Sequence, residues 1–354
     1  VPGPAPSAPA SRRLQATTVA RRLGRVLRFG APSGWYGAPA VADGWWPPPP
    51  VAVVAAGRRD GLPAELRSRY DDLLAGARPH DDVRAVLERV FAAGASLDAV
   101  AFLAATWPEL TDRDRAQVAA PLRPVGRARE LRLAEAPAQQ MDPTTCGSAV
   151  LGMLAASGDP LLALWLVTGR RMPTARPWWL GTRAVADDVA TDAASRFVGL
   201  QLAVRRASNR SALGPLSWPA GLGTPPWGAA RAAVFPGATF RSVMIDDTDT
   251  RGLRALLGRA ERALAAGVGV PLFTGGDLGG GVAAAVPRHV VLLTPAATPP
   301  GPGEVGPESG RYTVYEPSSG AVHAVTRAEL LAPDGARAAL GGWSHACWAV
   351  LPGA

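Results

Sequence analysis

Cys146 opens a helical pattern within Gln139-Gln140-Met141-Asp142-Pro143-Thr144-Thr145-Cys146-Gly147-Ser148-Ala149-Val150-Leu151. A thiol at a helix N-terminus faces unpaired backbone N–H groups and the positive end of the helix dipole. Both favour the thiolate, which is the form that attacks a carbonyl carbon. The competing reading makes Cys146 a small buried hydrophobe at a helix start.

A cysteine nucleophile needs a base within hydrogen-bond reach and a third group to orient that base. The chain has four histidines: His80, His289, His323 and His345. His289 begins the apolar run Val290–Leu293, and the next strand pattern, Arg311–Glu316, stops at Pro317. Paired as a hairpin across the Pro/Gly-rich loop 295–310, these strands would bring His289 and Glu316 together at one sheet end. Glu316 would then accept the imidazole N–H and fix the tautomer that serves Cys146. The backbone N–H of Cys146 and the side-chain amide of Gln140 are the candidate oxyanion donors, with Gln139 an equally polar neighbour.

Gln140, six positions before Cys146-Gly147, then a late His289 at a strand start, then Glu316-Pro317 closing the next strand, resembles the papain-like cysteine peptidases. It is most similar to the bacterial double-glycine leader peptidases and their stand-alone relatives. The resemblance covers residues 136–354. It implies a nucleophilic Cys146, a base at His289, an orienting carboxylate at Glu316, an oxyanion donor at Gln140, a peptide or protein substrate, and no cofactor. Thr145 stands where the relatives often carry Asp, and Glu316 is one methylene longer than their Asp.

Other constellations are weaker. His345-Ala346-Cys347 puts two metal-binding side chains on one strand face, but no second pair completes a four-ligand set, so no metal is expected. Cys347 reads as part of a closing core strand. The run Gly275-Gly276-Asp277-Leu278-Gly279-Gly280-Gly281 lacks the Lys-Ser/Thr of a phosphate-binding loop. It reads as a connection leading to His289, with a lid role open to it. His80, Asp81 and Asp82 read as polar turn residues.

Composition bounds the alternatives. The 354 residues include 37 basic side chains, all arginine, against 29 acidic ones. With no lysine, lysine nucleophiles are excluded. Residues 1–42 hold six arginines and no acid, leaving 31 against 29 in the rest, so the body is nearly neutral and a poor match for nucleic acid. The basic stretch 12–28, with Leu14, Val19, Leu23, Val26 and Leu27, reads as a solvated arm. The alternative is a weak membrane-surface or polyanion contact. Two cysteines make no disulfide framework, and no signal-like or membrane-spanning pattern stands out, so a cytoplasmic setting is expected.

The elements that must position the chemistry read as α+β. Residues 1–55 read as a Pro/Arg-rich arm and 56–135 as a small helical module with helices at Pro63, Val83, Ser96 and Thr111. Residues 136–354 read as the papain-like domain, with a Trp/Pro-rich insertion at 170–236 around a helix over Ala184–Arg206. Six strand patterns follow: Thr239–Ile245, Val268–Thr274, Val290–Thr294, Arg311–Glu316, Val322–Val325 and Ala346–Leu351, with a helix at Thr250–Ala266. The reading this supports is a cysteine peptidase or amidase. A transglutaminase-like acyltransferase, and a non-catalytic papain-like binding or scaffold protein, remain as alternatives.

Overall fold

A computed structural model describes Thr18 and residues 46–77, 83–125, 129–172, 192–246, 248–276, 287–295, 310–332 and 335–353. The basic stretch 12–28 (Thr18 aside), the His80 cluster, Trp178, Trp179 and the glycines at 279–281 lie outside these residues. The chain is a mixed α+β protein in which an N-terminal helical region and a six-stranded antiparallel sheet pack together with further helices.

The helical region comprises α1 (Val51–Asp60), α2 (Ala64–Ala75), α3 (Val83–Ala92), α4 (Leu97–Thr106) and α5 (Asp112–Ala119). Ser96 caps α4 through Ala99 N–H, and Thr111 caps α5 through Asp114 N–H, the polar starts that the sequence signals. The arm expected to reach residue 55 ends earlier. Pro50 sits at the N-cap, Val51 opens α1, and Ala55 is buried. A proline run fixes φ ahead of a helix but does not extend past its first turn, so the apolar Val51–Ala56 stretch is free to coil.

A two-stranded ribbon, β1 (Arg132–Leu133) with β2 (Ala136–Pro137), leads into α6 (Cys146–Gly158) and α7 (Pro160–Thr168). Next come α8 (Ala193–Asn209) and α9 (Pro226–Ala232). Of the helix expected over Ala184–Arg206, the described part begins at Ala193, capped by Asp192, and runs on to Asn209. The sheet uses β3 (Thr239–Met244), β4 (Val270–Gly275), β5 (His289–Thr294), β6 (Arg311–Glu316), β7 (Ala321–Thr326) and β8 (His345–Gly353), ordered β3-β8-β4-β5-β6-β7. Helices α10 (Thr250–Ala265) and α11 (Arg327–Leu331) are the remaining α-helices among the described residues.

Strand alternation divides the core into two layers. Phe273, Val290, Leu292, Tyr315, Trp348 and Val350 join the cluster built by α3 to α8. Leu272, Val291, Leu293, Val314, Ala349 and Leu351 join the opposite one, under α10 and α11. The sheet is thus covered on both faces, which is why β4 and β5 are buried at every position and read as continuous apolar runs. The first cluster is continuous from Leu87, Val90 and Leu103 of the helical region to Leu151, Leu154 and Leu164 of α6 and α7. Arg89 of α3 adds a polar tie, donating to Ala119 O at 2.8 Å and to Ser157 O, near the end of α6, at 3.3 Å.

Candidate active site

α6 is the centre of the molecule: all but one of its residues are buried. It packs against β5 and α8, so its N-terminus faces one end of the sheet. Small side chains make that packing close. A Cβ on Gly147 would lie 2.8 Å from Thr224 Cβ, so the residue after Cys146 has room only for hydrogen. Cys146 is 5% exposed, whereas Cys347, in the middle of β8, has no exposure.

The turn before Cys146 is tightly wired. Thr145 Oγ1 donates to Asp142 O at 3.0 Å and accepts from Asp142 N–H at 3.0 Å. Asp142 Oδ1 accepts from Thr144 N–H at 2.7 Å and from its hydroxyl at 2.6 Å. Arg205 of α8 reaches Thr144 Oγ1 at 3.1 Å. Thr145 occupies the N-cap of α6 but makes no side-chain cap bond, because its hydroxyl is committed to Asp142. The helix therefore begins at Cys146 without a side-chain cap from its N-cap residue, which leaves its leading N–H groups to an oxyanion.

His289 is the first residue of β5 and Glu316 the last of β6. The strands pair antiparallel with Leu292 opposite Tyr315. Extending that register sets Glu316 across from Val291, so His289 and Glu316 are diagonal neighbours at the sheet end. Their side chains meet, with His289 Nε2 2.7 Å from Glu316 Oε1, and both are buried. Cys146 is the other group that acts on the imidazole, raising its pKa. With Nε2 taken by the carboxylate, Nδ1 is the ring nitrogen left for the sulfur.

The electrostatics follow from these contacts. Burial by itself would depress the imidazole pKa. Hydrogen bonds to Cys146 and Glu316, and the negative charge they bring, overcome that and raise it to about 9. Burial likewise opposes ionisation of Glu316. The bond from His289 and those from the Pro317–Gly320 turn prevail and hold its carboxyl at about 2. That turn supplies Ser318 N–H to Oε1 at 2.7 Å, with Ser319 N–H at 2.9 Å and Ser319 Oγ at 2.7 Å to Oε2. At neutral pH the pair is an imidazolium and a carboxylate.

The two glutamines separate. Gln139 is exposed and donates to Ser319 O at 3.0 Å. Gln140 is half-buried; its Nε2 donates to Asp142 O at 3.1 Å, on the turn that leads to Cys146. Its Oε1 accepts from Ser318 Oγ at 3.2 Å, and its backbone N–H donates to Pro317 O at 2.8 Å. Gln140 thus ties the Cys146 turn to the Glu316 turn, and a carboxamide with one N–H used retains a second donor. His323 and His345 lie in β7 and β8, opposite Val314 and Gly275, and take no part in the Cys146–His289–Glu316 contacts described above.

Several supports carry no sequence signal of their own. Gln201 of α8 is fully buried; it accepts from Met141 N–H at 2.8 Å and donates to Gln139 O at 3.0 Å, gripping Gln140 from both sides. Tyr315 Oη donates to Ala138 O at 2.5 Å. Gln201 shares its buried helix face with other polar residues, Arg196 and Ser208 among them, so its own sequence neighbourhood does not single it out. Replacing Gln201 with Leu removes both of these part-buried bonds, so the chain is expected to lose about 1–2 kcal/mol in a urea titration.

No family model matches this chain, and neither curated proteins nor solved structures yield a match.

Proposed function

We propose that the protein is a cysteine-nucleophile hydrolase of papain-like architecture, acting on amide or peptide bonds. The observation that carries this reading is His289, whose imidazole is bonded to a buried carboxylate 2.7 Å away and is raised in pKa by Cys146 as well as by Glu316. The uncapped start of α6 and the neighbouring Gln140 amide add donors for the oxyanion.

In this mechanism Cys146 Sγ attacks the carbonyl carbon and the oxyanion collects the Cys146 N–H and the free N–H of Gln140. His289, already protonated, gives its proton to the leaving amine as the C–N bond breaks and the thioester forms. The neutral imidazole then takes a proton from water, whose oxygen attacks the thioester carbonyl; the C–S bond breaks and Cys146 is released as thiolate. Glu316 remains ionised and holds the ring throughout. An amine in place of water would make the same acyl-enzyme a transferase intermediate. In a peptide-aldehyde or acyl-nitrile library, a covalent adduct should be found on Cys146 by peptide mass mapping. It should vanish in Cys146→Ala and persist in Cys347→Ala. Labelling of Cys347 alone, or of both thiols slowly and equally, would favour the non-catalytic scaffold instead.

A further inference from the structure

The imidazole has polar partners only at its two nitrogens, and these do not by themselves fix both the Cα–Cβ and Cβ–Cγ torsions. A contact against the ring itself adds that constraint. Between α11 and β8, a 3₁₀ turn (Ala338–Leu340) delivers Gly341 against the ring. A Cβ built on Gly341 would lie 2.2 Å from His289 Cδ2 and 2.6 Å from Nε2. Gly341 also has φ +68°, a left-handed conformation that any side chain would strain. The approach is therefore possible only for glycine, on both backbone and steric grounds.

The turn is itself fixed. Leu340 is buried in the second core layer. Its carbonyl accepts from Thr274 Oγ1 at 2.9 Å. Thr274 is fully buried in β4, and in the β4–β5 ladder it is the residue paired with His289. Gly342 N–H and Arg337 N–H close the loop onto Arg337 O and Trp343 O at 2.9 and 3.1 Å. The strand that places His289 thus also places, through one hydroxyl, the wall against its ring.

We propose that Gly341 and Thr274 form a clamp that sets the rotamer of His289, making both of them positioning residues for the Cys146–His289 pair. The inference rests on the hydrolase reading of that pair. Gly341 supplies a flat backbone surface where a side chain would push the ring off Glu316 and Cys146. Thr274 sets the distance of that surface from the strand. Neither touches the reacting atoms.

The test uses the full chain and two readouts that do not need a substrate: the NMR titration of the His289 ring and the rate of Cys146 alkylation by iodoacetamide against pH. Gly341→Ala should move the ring titration down by a unit or more. It should slow alkylation below neutral pH by about tenfold for each unit lost. Thr274→Val, which removes the hydroxyl and adds no bulk, should shift both readouts the same way, and Thr274→Ser should restore them. If Gly341→Ala does not fold, the Val and Ser pair decides. Variants that keep the wild-type titration and alkylation profile would overturn the clamp. A wild-type ring titrating near the ordinary imidazole value would instead overturn the ion pair, and with it the hydrolase reading.

Discussion

Replacing His289 by alanine should remove most of the reactivity of Cys146 toward small alkylating agents while Cys347 stays protected. Without the imidazole beside it the sulfur loses its activating partner, so alkylation at about pH 6 should fall by about tenfold or more. Turnover of any amide substrate should fall further, by about 10² to 10⁴, because the same substitution removes the acid for the leaving amine and the base for water. The comparison is internal to the molecule. Cys347, with no exposure, reports unfolding, and a variant in which both thiols react alike has lost its structure rather than its base. Alkylation of Cys146 at the wild-type rate in His289→Ala would end the mechanism.

The second large effect concerns Glu316. Truncation to alanine leaves an imidazolium buried without its carboxylate and strips three donors of the Ser318–Ser319 turn of their acceptor. Breaking a buried pair in this way costs about 3–5 kcal/mol. The loss should depend on pH with a definite sign. His289 is raised from 6.5 to about 9, so its contribution is complete below 6.5 and fades as pH climbs through 9. Glu316 is lowered from 4.5 to about 2, so its contribution is complete above 4.5 and fades as pH falls through 2. The stability gap between wild type and Glu316→Ala should therefore be widest between pH 4.5 and 6.5 and narrow on both sides, as measured by urea midpoints across pH. A gap that neither narrows as pH rises from 6.5 through 9 nor narrows as pH falls from 4.5 toward 2 would mean that the pair is not ionic. Glu316→Gln keeps the shape without the charge and should retain most of the packing while lowering the His289 titration.

Much of the arrangement was legible in the sequence, for physical reasons. The alternation and the Pro/Gly breaks located all six strands of the main sheet within a few residues. His289 and Glu316 could be brought together because an antiparallel hairpin places the start of one strand beside the end of the next. The helix starts at Ser96 and Thr111 were readable because capping is local chemistry. What escaped were contacts between distant segments. Gly341 is one of forty glycines, and nothing nearby in sequence marks it as the one against the imidazole. Gln201 looks like an ordinary polar helix residue until the 139–141 turn is laid on it. The start of α1 was missed because Pro47–Pro50 dominates the local reading, although a proline run is also a good helix entrance. Thr145, read only as a departure from a resemblance, has a function of its own in the fold: its hydroxyl closes the turn and leaves the next helix start bare.

The shared core of the helical region and α6 bears on how the chain can be divided. Leu87, Val90 and Leu103 share one apolar cluster with Leu154 of α6 and Leu164 of α7, and Arg89 reaches the far end of α6. Cutting the protein at residue 120 would not liberate a minimal enzyme. It would open the apolar cluster around Leu154 and Leu164 to water, although β5 and α8 would still back the helix of Cys146, and leave a fragment prone to clump.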